Sequence, residues 1–442
     1  MSIAANFQKR DAERIAVRQR GEVFSSSSSL ILNVLDFVCI LIAIIWLSHA
    51  WYYPSLSTLD RAPGIEVLNF LNFGAGVYFL TRLFFVGRLA ALLEEKLVLL
   101  FFLIGFVNIY FSYSPINTFG FVRAEFLMLV AAIYYRGKVG QARFVALIAE
   151  VLGVIIFLSM LASFTSIGVM SGFDSGRWRG LFGHKNSLGE MSAVLFVLLF
   201  GLYRFRWSLS WRHLLYAFSA LACLAFAGSA TSLAVCFVMV AVILQIELIA
   251  RMGVSAALRI SIFLIGMTTV IAFANVILPL VTESLGRDLT FTGRTGIWQA
   301  FLFFAEQKPW TGWGWATIAQ NEGMLGYIRQ TLKLPNIQTP HSGYVALLVE
   351  LGYPGLIVFA TWLLSVLVGS ARIALRDRNL LQATRAAIAM GLILHSFFEG
   401  TSGATPSIWF LVLLGTGGIV TLKQREGGAQ PVRPVAAQRR LS

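Results

Sequence analysis

Two short segments of this 442-residue chain hold the side chains best suited to chemistry. The first, Gly176-Arg-Trp-Arg-Gly-Leu-Phe-Gly-His-Lys-Asn-Ser-Leu-Gly189, sets Arg177, Arg179, His184, Lys185 and Asn186 just ahead of an apolar run. Its glycines allow a backbone to approach a ligand closely, and amides at a helix N-terminus favour an anion. The second, Thr339-Pro-His-Ser-Gly-Tyr-Val-Ala-Leu-Leu-Val-Glu-Leu-Gly-Tyr-Pro-Gly355, puts His341 at the head of another apolar run. A histidine titrates near neutral pH and can act as a general base; the competing role is an interfacial histidine that caps a helix. Glu350 lies nine residues on, inside the run. Carboxylates inside a membrane are functional suspects with partners expected. Glu190, Glu399, His395 and the pair Arg123 and Glu125 fall in the same class. For each, a helix-to-helix hydrogen bond competes with a catalytic role.

The elements that must position these groups follow from composition. Hydrophobic residues make up 57% of the chain and charged residues 13%, with a mean hydropathy of +0.75. A soluble protein is about 45–50% apolar and about 25% charged, so a water-soluble globule is excluded. A membrane-spanning helix uses about 20 apolar residues. Apolar runs stand near 30–51, 65–86, 96–112, 119–135, 144–165, 189–203, 211–228, 231–250, 258–281, 343–369, 380–399 and 405–422. The expected fold is all-α: a polytopic membrane protein of about 12 transmembrane helices with one long, partly helical periplasmic loop. Residues 1–29 read as a disordered basic tail in the cytoplasm, 30–422 as the transmembrane domain with outer loops at 166–188 and 282–342, and 423–442 as a second disordered cytoplasmic tail. Cys39, Cys223 and Cys236 all sit in apolar runs, so no disulfide framework is indicated.

The net charge of +14 is read here as topology and not as a nucleic-acid footprint. With both termini cytoplasmic, 25 of the 35 Lys and Arg residues fall on the inner side, the bias expected of an inner-membrane protein. The outer side carries Arg61, Arg177, Arg179, Lys185, Arg287, Arg294, Lys308, Arg329 and Lys333. These run against the rule. An anionic ligand would explain them, and a lipid pyrophosphate fits because Arg forks match phosphate oxygens; the competing reading is solvated loop charge, weaker for the Gly176–Gly189 cluster. The long outer loop carries Trp298, Trp310, Trp313 and Trp315, which argues for an ordered loop; these rings suit either sugar faces or an interfacial anchor. Ile297–Gln307 reads as an amphipathic helix ended by Pro309. There is no Walker loop, no acidic cluster of the divalent-metal type and no Gly-x-Ser-x-Gly elbow. Neither a cofactor nor a metal is expected, and the energy is expected from an activated substrate.

Three blocks carry a resemblance. His341-Ser342 with Gly352-x-x-Gly355, Gly293-Arg-Thr-Gly-Ile-Trp298 with Pro309-Trp-Thr-Gly-Trp-Gly314, and Arg179-Gly-Leu-Phe-Gly-His-Lys-Asn186 with Leu188-Gly189 occur in that superfamily's pattern. Across residues 170–420 the chain resembles the O-antigen ligase and Wzy-type polysaccharide polymerase superfamily; the Gly-His-Lys-Asn form is similar to its ExoQ-like exopolysaccharide polymerase branch. The resemblance implies a metal-independent, inverting glycosyl transfer on the periplasmic face. The donor would be an oligosaccharide on undecaprenyl pyrophosphate, in the membrane lipid, and the acceptor a glycan hydroxyl or lipid A-core. Other polysaccharide assembly proteins would be possible partners; nucleic acid would not. His341 would activate the acceptor, Arg294 would hold the pyrophosphate, and Arg179, Arg177 and Lys185 would add phosphate contacts. His184, Asn186, Glu350, Trp298 and Trp313 would support.

One departure stands out. Related chains often carry Arg or Lys in a Ser-Arg-Thr-like segment, and the similar stretch here reads Ser229-Ala-Thr-Ser232. Lys185, Arg177 or Arg287 are the candidates to compensate. Polymerase is the first reading, ligase the second. A non-enzymatic transporter or flippase is the alternative from another class, supported by the helix count and opposed by the absence of an inverted repeat.

Overall fold

The computed structural model describes residues 30–50, 63–205, 210–255, 257–259, 261–266, 268, 292–335, 337–399 and 408–417. Both expected tails, Arg61 and Arg287 lie outside the described residues. Helices are α1 (Leu30–Ser48), α2 (Pro63–Phe85), α3 (Lys96–Phe111), α4 (Pro115–Val139), α5 (Gln141–Ala162), α6 (Lys185–Arg204), α7 (Trp211–Ala227), α8 (Ala230–Arg251), α9 (Thr292–Gln307), α10 (Glu322–Leu332), α11 (Gly343–Asp377), α12 (Leu380–Phe398) and α13 (Ile408–Gly415). The protein is an all-α polytopic membrane protein. Among the described residues eight helices are long and apolar enough to cross a bilayer: α1, α2, α4, α5, α6, α8, α11 and α12. Shorter apolar helices cover Lys96–Phe111, Trp211–Ala227 and Ala257–Gly266. Eight thus meet the length and hydropathy expected of all twelve runs.

The sequence accounts for the breaks between helices. The split between α7 and α8 takes two residues. Gly228 adopts φ 60°, which ends α7, and the Ser229 side chain accepts from Ser232 N–H to cap α8. In α11 the helix is broken inside: Gly352 has φ 66° and ψ −171°, with Pro354 following. This break releases carbonyls that a regular helix would consume, and the outer loop uses them.

The central helix is α12, packed against α11, α8, α6 and α13. Its buried face is built of small residues: Ala383, Ala386, Ala387, Ala389 and Gly391. Small side chains let backbones approach closely where water offers no driving force between helices. At Gly391 a Cβ would sit 2.3 Å from Met239 Sδ, and at Gly201 one would sit 2.1 Å from Thr384 Oγ1. A second, smaller core joins α9 and α10 to the first turns of α11 through Ile297, Phe301, Leu325, Ile328 and Val349. Helix α9 therefore has a buried face, as its amphipathic pattern predicts, but packs it on protein.

Candidate functional site

The N-termini of α6 and α11, the C-terminus of α12 and the first turns of α9 meet at one end of the bundle. Helix α6 is 20 residues long, about 30 Å at 1.5 Å per residue, so its far end lies across the bundle. That far end is built differently: Arg204 and Arg251 pair with Glu247, Arg136 pairs with Glu95, and Lys138 and Arg82 pair with the buried Asp36. Five of the basic residues read as topology signals, Arg82, Arg136, Lys138, Arg204 and Arg251, thus stand in structural ion pairs.

At the first end, His184 caps α6, its Nδ1 accepting the Asn186 N–H at 3.2 Å. Asn186 Nδ2 then donates to Glu399 Oε1 at 3.1 Å. Arg294 Nη1 donates to the Phe398 carbonyl, and its Nη2 lies 3.6 Å from the same Glu399 oxygen. The Glu399 carbonyl accepts the Gly343 N–H at 3.0 Å, and its own N–H donates to His395 O at 2.9 Å. One carboxylate and its peptide thus connect α6, α9, α11 and α12. Burial holds the Glu399 carboxyl above the ordinary value, and Arg294 and Asn186 work against that shift.

His341 stands just before this junction with φ 50°, a left-handed conformation for a residue that has a Cβ. Such backbone costs about 1–3 kcal/mol and persists when its surroundings over-determine it. The flanking contacts do this: Ser342 follows as the α11 N-cap with its Oγ 3.4 Å from Ser396 O, and Gly343 is fixed to Glu399. The His341 side chain is exposed, and its ring makes no hydrogen bond among the described residues. Desolvation by the surrounding chain, then the positive charges of Arg294 and His184, push its pKa below 6.5. The imidazole is therefore neutral at neutral pH and free to take a proton.

The segment 166–184 folds over the same end. Met170 N–H donates to Arg177 O at 2.8 Å, Trp178 N–H donates to Phe226 O at 3.1 Å, and the Trp178 ring stacks on Phe226 at 4.6 Å. This places the Arg177 guanidinium against the α7–α8 turn, where a Cβ at Gly228 would sit 2.6 Å from Nη1. Arg177 thus lies at the place where Ser229-Ala230 lacks a basic residue. Lys185 pairs with Asp174 at 2.5 Å, and Arg179 Nε donates to Ile167 O at 3.3 Å. Desolvation and Lys185 keep His184 below its ordinary value, with Asp174 opposing.

Not every candidate joins this cluster. Glu350 lies nine residues along α11 from His341, about 13 Å by helical rise. Its carboxyl lies beside the backbone of Ala316, Thr317 and Ile318, and its carbonyl accepts Gly314 N–H at 3.0 Å, so it belongs to the loop contact and not to the junction. Trp313 is committed too: its Nε1 donates to Phe304 O at 2.8 Å, and the Lys308 ammonium covers its ring at 4.4 Å. Trp315 is buried against Phe101, Phe102 and Phe121. Trp298 is half-buried on α9, with an indole N–H that has no partner among the described residues. Trp310 is 71% exposed. Of the outer cations, Arg329 pairs with Glu322 and donates to Ile337 O, and Lys333 ends α10 with φ 55°.

Two motifs separated in sequence are one unit in space. Trp313 N–H donates to Val349 O at 2.9 Å, Gly314 N–H to Glu350 O at 3.0 Å, and Tyr353 N–H to Pro309 O at 2.8 Å. The Pro309–Gly314 block is docked on the carbonyls that the Gly352 break exposes. Asn108 adds stitches, accepting Trp315 N–H at 2.7 Å and donating to Glu350 O at 3.1 Å. Among the described residues no group of three or more His, Cys, Asp and Glu side chains is placed to hold a metal ion.

Sequence reasoning missed Asn108 and Asp174, and it left Glu399 as one intramembrane carboxylate among several. A signal for Glu399 existed: counting spans puts the end of the 380–399 run on the same side as His341 and Lys185.

Residues 214–360 match the family model of O-antigen ligase, Wzy_C. The resemblance to the O-antigen ligase and Wzy superfamily is borne out over that stretch. The O-antigen ligase match runs from α7 through the first half of α11. It includes Arg294, His341 and the Gly352–Gly355 break, and it excludes the Arg177–Asn186 block and Glu399. No curated protein matches the chain. The match supports glycosyl transfer of the O-antigen ligase or polymerase type, on a lipid-linked glycan and an acceptor, by an integral membrane protein.

Proposed function

We propose that the chain transfers a glycan from undecaprenyl pyrophosphate to a sugar hydroxyl at the periplasmic face of the inner membrane, joining exopolysaccharide or O-antigen repeat units. The observation that carries this reading is the meeting of a neutral His341, whose ring has no hydrogen bond among the described residues, with Arg294 at the joined ends of α6, α11 and α12. Transfer to lipid A-core is the second reading. It shares the donor chemistry and is equally compatible with the family match.

The chemistry needs one base and fixed cations. The His341 imidazole takes the proton of the acceptor hydroxyl as that oxygen attacks the anomeric carbon. The carbon–oxygen bond to the pyrophosphate breaks from the opposite face, and the lipid pyrophosphate leaves with the electron pair, inverting the centre. Charge grows on the leaving oxygen, and preorganised donors stabilise it far better than water does. Arg294 is the first such donor. Arg177, Arg179 and Lys185, with the amides at the start of α6, border the same region. Arg177 takes the place of the basic residue absent from Ser229-Ala230. The leaving group needs no protonation, and no metal enters the step. Glu399 acts as a positioning residue through Arg294 and Asn186.

Purified protein in bilayer nanodiscs, given only the lipid-linked repeat, tests the reading. A ladder of lengths is the expected result. No product until an acceptor lipid is added would identify a ligase; transport without a new glycosidic bond would refute both.

A further inference from the structure

Away from the junction, a cavity of about 350 Å³ opens between α1, α2, α4 and the loop after Trp315. Its volume is at the lower end of the range for ligand sites. The lining is unusual for a membrane protein: three asparagines (Asn69, Asn72 and Asn117), Gln320, Arg123 and Trp46, with no acidic side chain among the described lining residues. Asn72 is 97% buried, yet its Oδ1 has no hydrogen-bond partner among the described residues, and the same holds for Arg123 Nε. A buried polar atom left unpaired costs about 1–3 kcal/mol, so these groups have a partner to gain. The Arg123 guanidinium is held by the rings of Phe73 at 4.5 Å and Phe119 at 5.6 Å. Trp46 Nε1 donates to Asn69 Oδ1 at 2.7 Å.

The cavity is also prebuilt. The Trp315 carbonyl accepts from Thr118 Oγ1 at 3.0 Å, which fixes the loop to the first turn of α4. Gln320 therefore reaches the cavity from the same loop whose Trp313 and Gly314 are bonded to α11. Carboxamides offer a donor and an acceptor side by side, which matches adjacent sugar hydroxyls. A guanidinium adds a fork of donors, and the aromatic rings offer faces to the sugar.

We infer that this cavity is a glycan-binding site, holding sugar residues of the growing or incoming chain at a distance from His341, on the far side of the Pro309–Gln320 loop. The inference rests on the glycosyl-transfer reading for its source of ligand, but not on the chemistry at His341. It gives the intramembrane Arg123 a role in recognition.

The test uses the full chain in cells that make its native glycan, with p-benzoylphenylalanine in place of the exposed Asn117. Irradiation should give an adduct that carries sugar by mass, in both the active protein and the His341→Ala protein. Asn72→Leu should lower the adduct yield about tenfold, the scale of one lost buried hydrogen bond. Gln320→Ala, which removes an exposed loop carboxamide whose nitrogen also bonds Ala316 O and Thr317 O, should lower it several-fold with an unchanged thermal unfolding midpoint. An adduct with the mass of a phospholipid, or no adduct from protein that still makes product, overturns the inference. A sugar adduct from protein that keeps His341 yet makes no product overturns the transfer reading instead and leaves the site standing.

Discussion

Asn186 and Glu399 are 213 positions apart in the chain and joined by a 3.1 Å hydrogen bond, with Arg294 on the other side of the same carboxylate oxygen. The bond locks the start of α6 to the end of α12. It thereby holds the Arg177–Asn186 block beside His341, which precedes the helix anchored to the Glu399 peptide. Charge-assisted bonds of this kind are about twice as strong as neutral ones. Glu399→Gln keeps the shape and one acceptor but loses the charge that holds Arg294. This variant should stay folded and show a raised KM for the lipid-linked donor with a smaller change in kcat. Glu399→Ala should lose both. Equal kinetics for wild type and Glu399→Ala would remove Glu399 from the site.

His341→Ala should reduce kcat by about 100-fold or more, the usual worth of a general base, while the thermal unfolding midpoint changes little. The left-handed backbone supplies a control. His341→Gly relieves the φ 50° strain and should raise the midpoint above that of the Ala variant, yet remain as inactive. Activity in either variant would exclude His341 as the base.

The pH profile follows from the neighbours of His341. Its pKa lies below 6.5 because of desolvation and then the cations Arg294 and His184. A base with a lowered pKa is lost only when pH falls through that lowered value, so the acid limb of kcat/KM should lie below 6.5. Arg294→Gln removes a positive neighbour and makes protonation easier. The imidazole pKa rises, and the acid limb should move to higher pH. A limb that stays in place would mean that another group titrates. Arg294→Lys keeps the charge without the fork, so it should leave the limb near its original position and weaken donor binding less than Arg294→Ala.

The composition and the runs of apolar residues made the helical architecture legible, because a span needs only length and hydropathy. The split between the 211–228 and 231–250 runs was the least distinct in the sequence, and the structure gives its local cause, a left-handed glycine followed by a capping serine. The candidate cluster was partly legible. His341, Arg294 and the Arg177–Asn186 block announce themselves by residue type and by their outer placement. Glu399 does not, since its importance comes from the 213-residue contact with Asn186. Glu350 and Trp313 misled in the opposite direction. A carboxylate in an apolar run and a tryptophan in a loop suit substrate equally well on paper, and only their contacts, Gly314 N–H on the Glu350 carbonyl and the Trp313 indole on the Phe304 carbonyl, reveal that they hold the loop.

That loop is held by the break in α11, and Gly352 is where the break can be attacked. Its φ of 66° is poorly tolerated by a residue with a Cβ, and the Cβ itself would sit 2.5 Å from the Pro309 carbonyl oxygen. Gly352→Ala should therefore cost about 1–3 kcal/mol from the backbone alone and push the Pro309–Gly314 block away from the Val349 and Glu350 carbonyls. The neighbouring contact gives an independent check. Gly312 has φ 67°, and its Cβ would sit 2.2 Å from Glu350 O, so Gly312→Ala disrupts the same docking from the other partner. Because the two changes break one interface, the double variant should be less destabilised than the sum of the single ones. Both single variants should also lose transfer activity, since α9 enters this loop carrying Arg294. Additive destabilisation, measured by thermal unfolding in detergent, would mean that the two glycines do not act through one interface.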